Sequence, residues 1–257
     1  MARIAEEPPL AIVSAMQQEL RALLPLLQNA RRVERAGRSF HLGELHGHPV
    51  VLALSGIGKV AAATTTTLLI HTFQARALVL TGVAGGLAHG VNVGDVVVAR
   101  QLLQHDLDVS PLFPRFQVPS SGLSHFDADT LLADALAAAV QRCLDGADAL
   151  LGPATVHAFN LEQARLHRGL IVSGDLFVSS AAQSAALREL LPDALAVEME
   201  GAAVAQVCAD SGVPFAVLRC ISDRADDSAH VDFSRFIDTV ASACTAAIVG
   251  DWLKRSA

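Results

Sequence analysis

The sequence contains no tyrosine and a single tryptophan, and aromatic residues make up only 4% of its 257 residues. Charged residues are also scarce at 18%, whereas 52% of the residues are hydrophobic. Because so little of the apolar content is aromatic, we expect an aliphatic core in which helices pack closely on a sheet. Length and composition together predict one α/β domain that spans residues 1–257.

The chain has no run of lysine or arginine, and its formal net charge is −7. Nucleic acids and anionic membranes require a concentrated basic patch, so neither is an expected partner. The N-terminal residues do not combine a basic start with an apolar stretch, and no uninterrupted apolar run reaches the roughly 18–20 residues that cross a bilayer. These absences predict a cytoplasmic protein.

The four cysteines are widely scattered and form no CxxC pair. In a chain this apolar, they are interpreted as small buried side chains in a reducing compartment. We therefore expect no zinc site and no other bound metal.

Short apolar segments alternate with helical patterns along the whole chain. This alternation predicts a central mixed, twisted sheet with helices on both faces, and in such sheets ligands bind at the carboxyl ends of strands. Residues 110–122 are predicted to form a loop, and residues 146–167 a surface excursion. The predicted strands are 10–15, 49–54, 77–81, 96–100, 169–173, 194–197 and 214–221. The predicted helices are 17–27, 59–73, 129–143, 201–211 and 233–253.

A glycine-rich turn that contains Gly56, Ile57 and Gly58 joins a predicted strand to a predicted helix. Its G-x-G-x-x-A pattern is the weak form of the dinucleotide-binding fingerprint. That fingerprint also requires an acidic residue about 20 residues further on, to hold the ribose hydroxyls. No Asp or Glu occurs between Leu45 and Gly94, which disfavours NAD. Tight packing of helix on strand explains the glycines as well.

Two acidic residues, Glu198 and Glu200, flank Met199 between an apolar strand and an apolar helix. A helix dipole favours one acid at an exposed terminus, but it does not explain two in apolar surroundings. Buried carboxylates are costly without ligands, and sugar hydroxyls are suitable ligands. The pair therefore favours a substrate-binding interpretation.

Two further acids stand at strand ends. Asp223 directly follows an apolar strand, where it could transfer a proton to a ligand or simply cap the next turn. Glu19 lies in the first turn of a predicted helix, where an acid stabilised by the helix dipole would be unremarkable.

Taken together, these segments are similar to one known family. In chain order they are Ala15-Met16…Glu19, Ser55-Gly56-Ile57-Gly58-Lys59-Val60, Thr81-Gly82…Ala84-Gly85-Gly86-Leu87, Gly94-Asp95-Val96-Val97-Val98, His105-Asp106…Asp108-Val109, Gly169-Leu170-Ile171-Val172-Ser173-Gly174-Asp175, Ala196-Val197-Glu198-Met199-Glu200 and Ile221-Ser222-Asp223…Ala225-Asp226. The series resembles the 5′-methylthioadenosine/S-adenosylhomocysteine nucleosidases of the nucleoside phosphorylase superfamily, from about Ala11 to Phe236.

The resemblance implies hydrolysis of the N-glycosidic bond of methylthioadenosine or S-adenosylhomocysteine, without a cofactor. By this resemblance, Glu19 deprotonates the attacking water and Asp223, positioned by Ser222, protonates N7 of adenine. Glu200 is implied to hold the ribose hydroxyls. Arg219 is implied to lie near the water.

The same resemblance implies how the substrate is enclosed. The residues implied to contact it are Met199 against the sugar, Phe177 on the adenine, the Val178 backbone at the adenine edge and Phe233 on the other side of the base, with Ile57 and Glu198 as further substrate-binding candidates. Family members are homodimers, so Val109 and Leu112, in the loop 109–114, are expected to reach the partner's alkylthio pocket.

Two departures from the family pattern keep alternatives open. Val83 replaces a serine that assists the water and ribose network, and residues 146–167 are longer than in typical members. A phosphorylase is one alternative, although Leu80 and Val83 replace an arginine and a serine that hold phosphate in phosphorylases, and Glu19 would repel phosphate. A nucleoside-binding protein without turnover is the other.

Overall fold

One mixed sheet is the centre of the computed structural model, which describes residues 7–227 and 229–256. Its strands are β1 Leu10–Ser14, β2 Gln28–Arg35, β3 Arg38–Leu45, β4 His48–Leu54, β5 Ala77–Leu80, β6 Val83–Gly86, β7 Val96–Gln104, β8 Phe126–Asp127, β9 Leu166–Ser173, β10 Ala194–Glu198 and β11 Phe215–Asp223. The α-helices are α1 Gln17–Leu20, α2 Lys59–His71, α3 Thr130–Asp145, α4 Ala147–Leu151, α5 Pro153–Ala158, α6 Ala181–Leu190, α7 Gly201–Ser211, α8 Ala229–Phe236 and α9 Ser242–Arg255.

The strand order is β2-β3-β4-β1-β5-β11-β6-β10-β9-β7-β8, with an extra pairing between β11 and β7. β4, β1, β5 and the start of β11 are parallel neighbours. Further along, β11 pairs antiparallel with β7 and then parallel with β6. This switch of partners closes β11, β6, β10, β9 and β7 into a ring. The parallel part and the ring meet in the middle of β11, where its pairing passes from β5 at Val217 to β7 at Leu218.

Helices cover both faces of this sheet, as the sequence predicts. The buried side chains of α2 and α7 belong to one apolar cluster, and those of α3 and α9 belong to another on the opposite side. The core is aliphatic, and Phe40, Phe126 and Phe236 are the aromatic residues among its largest fully buried side chains. The single-domain α/β fold with a mixed sheet is thereby confirmed.

The predicted helix 17–27 is wrong in length. α1 ends at Leu20, and Leu24–Leu26 forms a short 3₁₀ helix instead. Pro25 explains the difference, because proline has no backbone N–H and its ring clashes with the preceding helical turn. The predicted helix 233–253 is likewise divided, by a π-helical turn at Ile237–Ala241.

Several elements were not predicted. The sequence pattern does not predict the hairpin β2–β3, because β2 is exposed along almost its whole length and has no alternating apolar pattern. The sequence patterns predict neither β6 nor α6. Residues 146–167 contain α4 and α5, so the predicted surface excursion is largely helical.

One helical stretch of the described chain, Phe233–Arg255, is long and apolar enough to span a membrane by length and composition. In the fold, 61% of its most apolar window is buried inside the protein. Packing of α9 against α3 and the sheet accounts for this apolar character. The four cysteines are free thiols; Cys208 and Cys220 are buried as predicted, whereas Cys143 and Cys244 are only partly buried, so the prediction is wrong for these two.

Candidate active site

A cavity of about 430 Å³ opens at the carboxyl ends of β1, β10 and β11. Sequence-predicted residues that line it are Glu19, Ile57, Val83, Phe177, Val178, Glu198, Met199, Glu200, Ser222, Asp223 and Phe233. Residues that the sequence did not single out also line it, namely Ala15, Met16, Ala84, Gly85, Leu176, Val197 and Ser234. Most of these are small or apolar wall residues. Ala15, Met16, Ala84, Gly85 and Val197 lie in the segments that carry the family resemblance, and Leu176 and Ser234 adjoin predicted residues.

Three predicted residues do not line this cavity. Arg219 is completely buried behind it. Val109 and Leu112 lie in the loop that follows β7, and the Leu112 side chain is 80% exposed. The described chain therefore does not bring this loop to its own cavity.

Glu19 lies just after β1, and its side chain folds back over the end of that strand. Its Oε2 accepts hydrogen bonds from the backbone N–H groups of Ala15 at 2.9 Å and Met16 at 2.8 Å. Its Oε1 accepts one from Val83 at 3.0 Å. Burial raises the pKa of Glu19, while Arg219 and the three N–H donors oppose that increase. The carboxylate is thus fixed in position, and its raised pKa makes it a stronger base than an exposed glutamate.

Gly82 lets two charged groups approach the backbone between β5 and β6. A Cβ atom at this position would collide with Arg219 Nη1 and Glu19 Oε1, and the φ of 154° is one that other residues rarely adopt. The absence of a side chain therefore allows Glu19 and Arg219 to lie side by side beneath the cavity.

Arg219, on β11, is the buried cation of the site. Its Nη2 donates to Glu198 and, at 3.3 Å, to Glu200 Oε2, while Nη1 donates to the carbonyl of Thr81 at 3.2 Å. The Arg219 guanidinium is therefore the countercharge of three buried carboxylates, those of Glu198, Glu200 and the nearby Glu19. A cluster with surplus negative charge is suited to a ligand that becomes cationic.

Glu198 lines the cavity, and its carboxylate is also bound by groups within the protein. Its carboxylate accepts hydrogen bonds from the Ser173 hydroxyl, from the N–H groups of Glu200 and Gly201, and from Arg219. These internal partners occupy both oxygens, so Glu198 holds the turn before α7 in place. The sequence could not separate the two acids, because both lie in the same apolar context.

Glu200 has fewer partners and lines the cavity. Oε1 accepts the N–H of Gly58 at 2.8 Å, and Oε2 faces Arg219. Burial and the neighbouring Glu198 raise the pKa of Glu200 to about 7, against the opposing effects of Arg219 and the Gly58 N–H. Glu200 therefore keeps acceptor capacity for a ligand hydroxyl.

Asp223 ends β11 and is only 2% exposed. Its Oδ1 accepts the N–H of Ala225 at 2.8 Å, and its Oδ2 accepts the hydroxyl of Ser222, also at 2.8 Å. These bonds fix the plane of the carboxyl group. Asp223 and Glu19 therefore stand on the wall of one cavity, both buried and both held rigidly.

The aromatic wall consists of Phe177 and Phe233. Their ring centroids are 5.8 Å apart at an interplanar angle of 72°, and Phe177 is 42% exposed. Val178, beside them, is buried. No group of three or more His, Cys, Asp or Glu residues that could hold a metal ion occurs among residues 7–227 and 229–256.

Comparisons with known proteins agree with this geometry. The model of the phosphorylase superfamily matches residues 9–253. A 5′-methylthioadenosine/S-adenosylhomocysteine nucleosidase of Bacillus thuringiensis (strain Al Hakam) is 38% identical over 241 residues, which are 93% of this chain and 96% of the relative. The chain belongs to this nucleosidase family, within the phosphorylase superfamily.

Solved structures of nucleosidases extend the match to three dimensions. The Neisseria meningitidis enzyme, in complex with methylthio-immucillin-A, has a TM-score of 0.83 and 38% identity, over 96% of this chain and 99% of that one. The nucleosidase from S. pneumoniae, with a transition-state inhibitor, has a TM-score of 0.81 and 34% identity, over 97% and 100% of the two chains. The family assignment thus rests on sequence and fold together.

Replacing Arg219 with methionine should lower the free energy of unfolding of this nucleosidase by about 3–5 kcal/mol at pH 8, because the buried carboxylates lose their countercharge. Glu19 and Glu200 have a pKa above the ordinary value in the folded state, so their stability contribution is largest at low pH and falls as pH rises through the raised pKa. The loss should therefore be smaller at pH 5.5. Urea unfolding at both pH values measures it.

Arg142→Met is the matched control, because Arg142 pairs with Asp251 at 2.6 Å in a half-exposed position. A pair of this kind contributes at most about 1 kcal/mol. Equal losses for Arg219→Met at the two pH values would contradict the charge-cluster account.

Proposed function

We propose that the protein hydrolyses the N-glycosidic bond of 5′-methylthioadenosine and S-adenosylhomocysteine, releasing adenine and the 5-thioribose. The observation that carries this proposal is the pair of rigidly held, buried acids, Glu19 and Asp223, on the wall of one cavity. Glu200 supplies a third carboxylate there. A carboxyl group for the leaving group and a carboxylate for water are the two parts that glycoside hydrolysis requires.

Asp223 is the proposed general acid. The electron pair of the C1′–N9 bond passes to the base, and the base takes a proton at N7 from the Asp223 carboxyl group. Ser222, which donates to Oδ2 at 2.8 Å, keeps that group in position. Protonation makes adenine a better leaving group, which is the usual contribution of a general acid.

Glu19 is the proposed general base. The water oxygen bonds to C1′, and its proton passes to the carboxylate that Ala15, Met16 and Val83 hold through their N–H groups. The raised pKa of Glu19 suits a base that works near neutral pH. The Val83 side chain offers no hydrogen bond, so Glu19 is assigned the main part in orienting the water.

The sugar is assigned to Glu200 and Met199. Glu200 accepts the ribose hydroxyls, and Met199 packs against the ring. As the C1′–N9 bond lengthens, positive charge develops on the sugar. The carboxylates around Arg219 then stabilise this charge more strongly than they stabilise the neutral substrate, and such differential stabilisation lowers the barrier.

The base is assigned to the aromatic wall. Phe177 stacks on adenine, Phe233 closes the opposite side, and the Val178 backbone reads the adenine edge. What supports this assignment is that Phe177 and Phe233 both line the cavity and contact each other edge to face, with centroids 5.8 Å apart. Ile57, which is 58% exposed, forms part of the rim of the cavity on the sugar side.

We further propose a cytoplasmic homodimer in which the loop 109–114 completes the partner's alkylthio pocket through Val109 and Leu112. Leu112 and Phe113 are adjacent and both exposed, which supports this assignment, since neighbouring exposed apolar side chains are typical of an interaction surface. The free state of the cysteines is typical of a reducing compartment.

This function is tested by measuring kcat/KM for base release from four nucleosides: methylthioadenosine, S-adenosylhomocysteine, adenosine and inosine. Adenine is the released base for the first three and hypoxanthine for inosine. Methylthioadenosine should be the best substrate, with S-adenosylhomocysteine accepted because its charged tail can extend into solvent. Adenosine lacks the alkylthio group and should be poorer by about 10–200-fold. Equal or faster cleavage of inosine would contradict the adenine assignment, and saturable binding without any base release would favour the non-catalytic alternative.

A further inference from the structure

A polar network at the start of α2 lies just outside the cavity. Lys59 Nζ contacts Asp106 Oδ1 at 2.6 Å and Gln104 Oε1 at 3.1 Å. Asp106 Oδ2 accepts the backbone N–H of Asp175 at 2.9 Å, and Asp175 Oδ1 accepts the backbone N–H of Lys59 at 2.8 Å. Neither Asp106, Lys59 nor Asp175 lines the cavity, and the mechanism above uses none of them.

This network is one residue away from the carboxylate assigned to the sugar. Gly58 donates its N–H to Glu200 Oε1 at 2.8 Å, and the next N–H along the chain, that of Lys59, is the one that Asp175 accepts. Two consecutive N–H groups at the start of α2 therefore point at two carboxylates.

The hydrogen bond from the Lys59 N–H to Asp175 Oδ1, called here the Asp175 clamp, holds the turn before α2. Gly56 and Gly58 have φ values of 79° and 96°, which are open to glycine at little cost. A Cβ atom on Gly58 would lie 3.0 Å from Asp175 Oδ1, so the carboxylate packs directly against the glycine. Glycine is also the residue that loses most freedom on folding, so an outside contact is needed to hold this turn in one conformation.

Asp175 also joins the sugar side to the base side of the cavity. It immediately precedes Leu176, Phe177 and Val178, which line the cavity on the base side. Its backbone is held by Asp106, and Asp106 is held by Lys59. The Asp175 side chain and backbone therefore couple the start of α2 to the segment that carries the aromatic wall.

We propose that Asp175 is a positioning residue for the reaction: by holding the Lys59 N–H it fixes the turn 56–58, so that the Gly58 N–H orients Glu200 toward the sugar. This inference rests on the proposed function, because it assigns Asp175 to the Glu200 site. Asp106 and Lys59 support Asp175 from the side away from the cavity.

Removing the Asp175 side chain should change the pKa of Glu200 as well as the stability of the protein. When the turn moves, Glu200 loses a hydrogen bond that lowers its pKa, so the pKa should rise further above about 7. The charged groups that face Glu200 from other elements are Glu19, Glu198 and Arg219, and none of these contacts the Asp175 side chain in the described chain. The ascending limb of kcat/KM against pH contains the ionisation of both the proposed base Glu19 and Glu200, and Asp175 touches only the turn that holds Glu200, so a shift produced by Asp175→Ala is assigned to the Gly58–Glu200 bond.

The test compares Asp175→Ala and Asp175→Asn with Asp129→Ala. Asp129 is a matched control, because its Oδ1 caps α3 by accepting the N–H of Leu132 at 2.9 Å, far along the chain from the cavity residues. All three proteins are assayed for adenine release from methylthioadenosine across pH 5 to 9, and their melting temperatures are recorded.

Asp175→Ala should lower kcat/KM by about 5–30-fold, because the capping contact no longer favours the conformation of the turn that orients Glu200 and the competent fraction falls by that factor. Its ascending limb should move to higher pH. Asp175→Asn should stay within about threefold of the wild type, because asparagine caps helices about as well as aspartate. Asp129→Ala should lower the melting temperature and leave both kcat/KM and the limb unchanged.

The positioning role would be overturned if Asp175→Ala kept the wild-type kcat/KM and the wild-type ascending limb of the pH profile. Equal changes in Asp129→Ala would overturn it as well. A wild-type protein that releases no adenine would overturn the proposed function, and this inference with it. An active wild type with an unaffected Asp175→Ala would overturn this inference alone.

Discussion

Replacing Asp223 with asparagine should lower kcat for methylthioadenosine by about 10²–10⁴-fold, the usual contribution of a general acid. Asparagine has the same shape, and its Oδ1 can still accept the N–H of Ala225, which the aspartate accepts at 2.8 Å. The amide cannot release a proton to N7. The change should therefore appear in kcat, with the melting temperature and KM close to those of the wild type.

Asp210→Asn, at the exposed end of α7, is the control for a change of one charge. It should leave kcat unchanged. A kcat for Asp223→Asn within about tenfold of the wild type would exclude Asp223 as the general acid.

Replacing Glu19 with glutamine should produce a loss of comparable size, about 10²–10⁴-fold in kcat, because the base that takes the water proton is removed. Glu19→Gln should also lower the free energy of unfolding. Glu19 accepts three backbone N–H groups, and in glutamine one of the two accepting oxygens is replaced by an amide NH₂. A donor facing a donor leaves a buried group unsatisfied, at a cost of about 1–3 kcal/mol.

Glu19→Asp separates the two effects. Aspartate keeps the charge and both acceptor oxygens but is one methylene shorter, so it reaches the water position less well. Adenine binding, measured by calorimetry, should persist in both variants, because the base is assigned to Phe177, Phe233 and Val178. A Glu19→Gln protein that binds adenine and keeps more than a tenth of the wild-type kcat would rule out Glu19 as the base.

The sequence allowed the fold class to be predicted because strand and helix patterns alternate from end to end. It failed where a single residue or an exposed face decides the structure. Pro25 ends the first helix early, and the exposed strand β2 gives no apolar alternation. Strand pairing between distant segments, such as the passage of β11 from β5 to β7 and β6, leaves no local signal at all.

The sequence predicts most of the residues that line the candidate site, but not the hydrogen bonds that join them to the rest of the protein. Eleven of the fourteen predicted site residues line one cavity, because strand ends in the sheet converge there. The sequence could not show that Glu198 is fully engaged by Ser173 and backbone donors, because those partners come from β9 and α7. The Asp175 clamp was invisible for the same reason, since its partner N–H lies 116 residues away.

The central claim is that water attacks C1′ in the cavity shared by Glu19 and Asp223. The most direct test incubates the purified protein with methylthioadenosine, with and without phosphate, and identifies the sugar product by mass spectrometry. We predict adenine release at the same rate in both buffers, with the free 5-thioribose as product. Release that depends strictly on phosphate and yields the sugar 1-phosphate would contradict the claim and identify a phosphorylase.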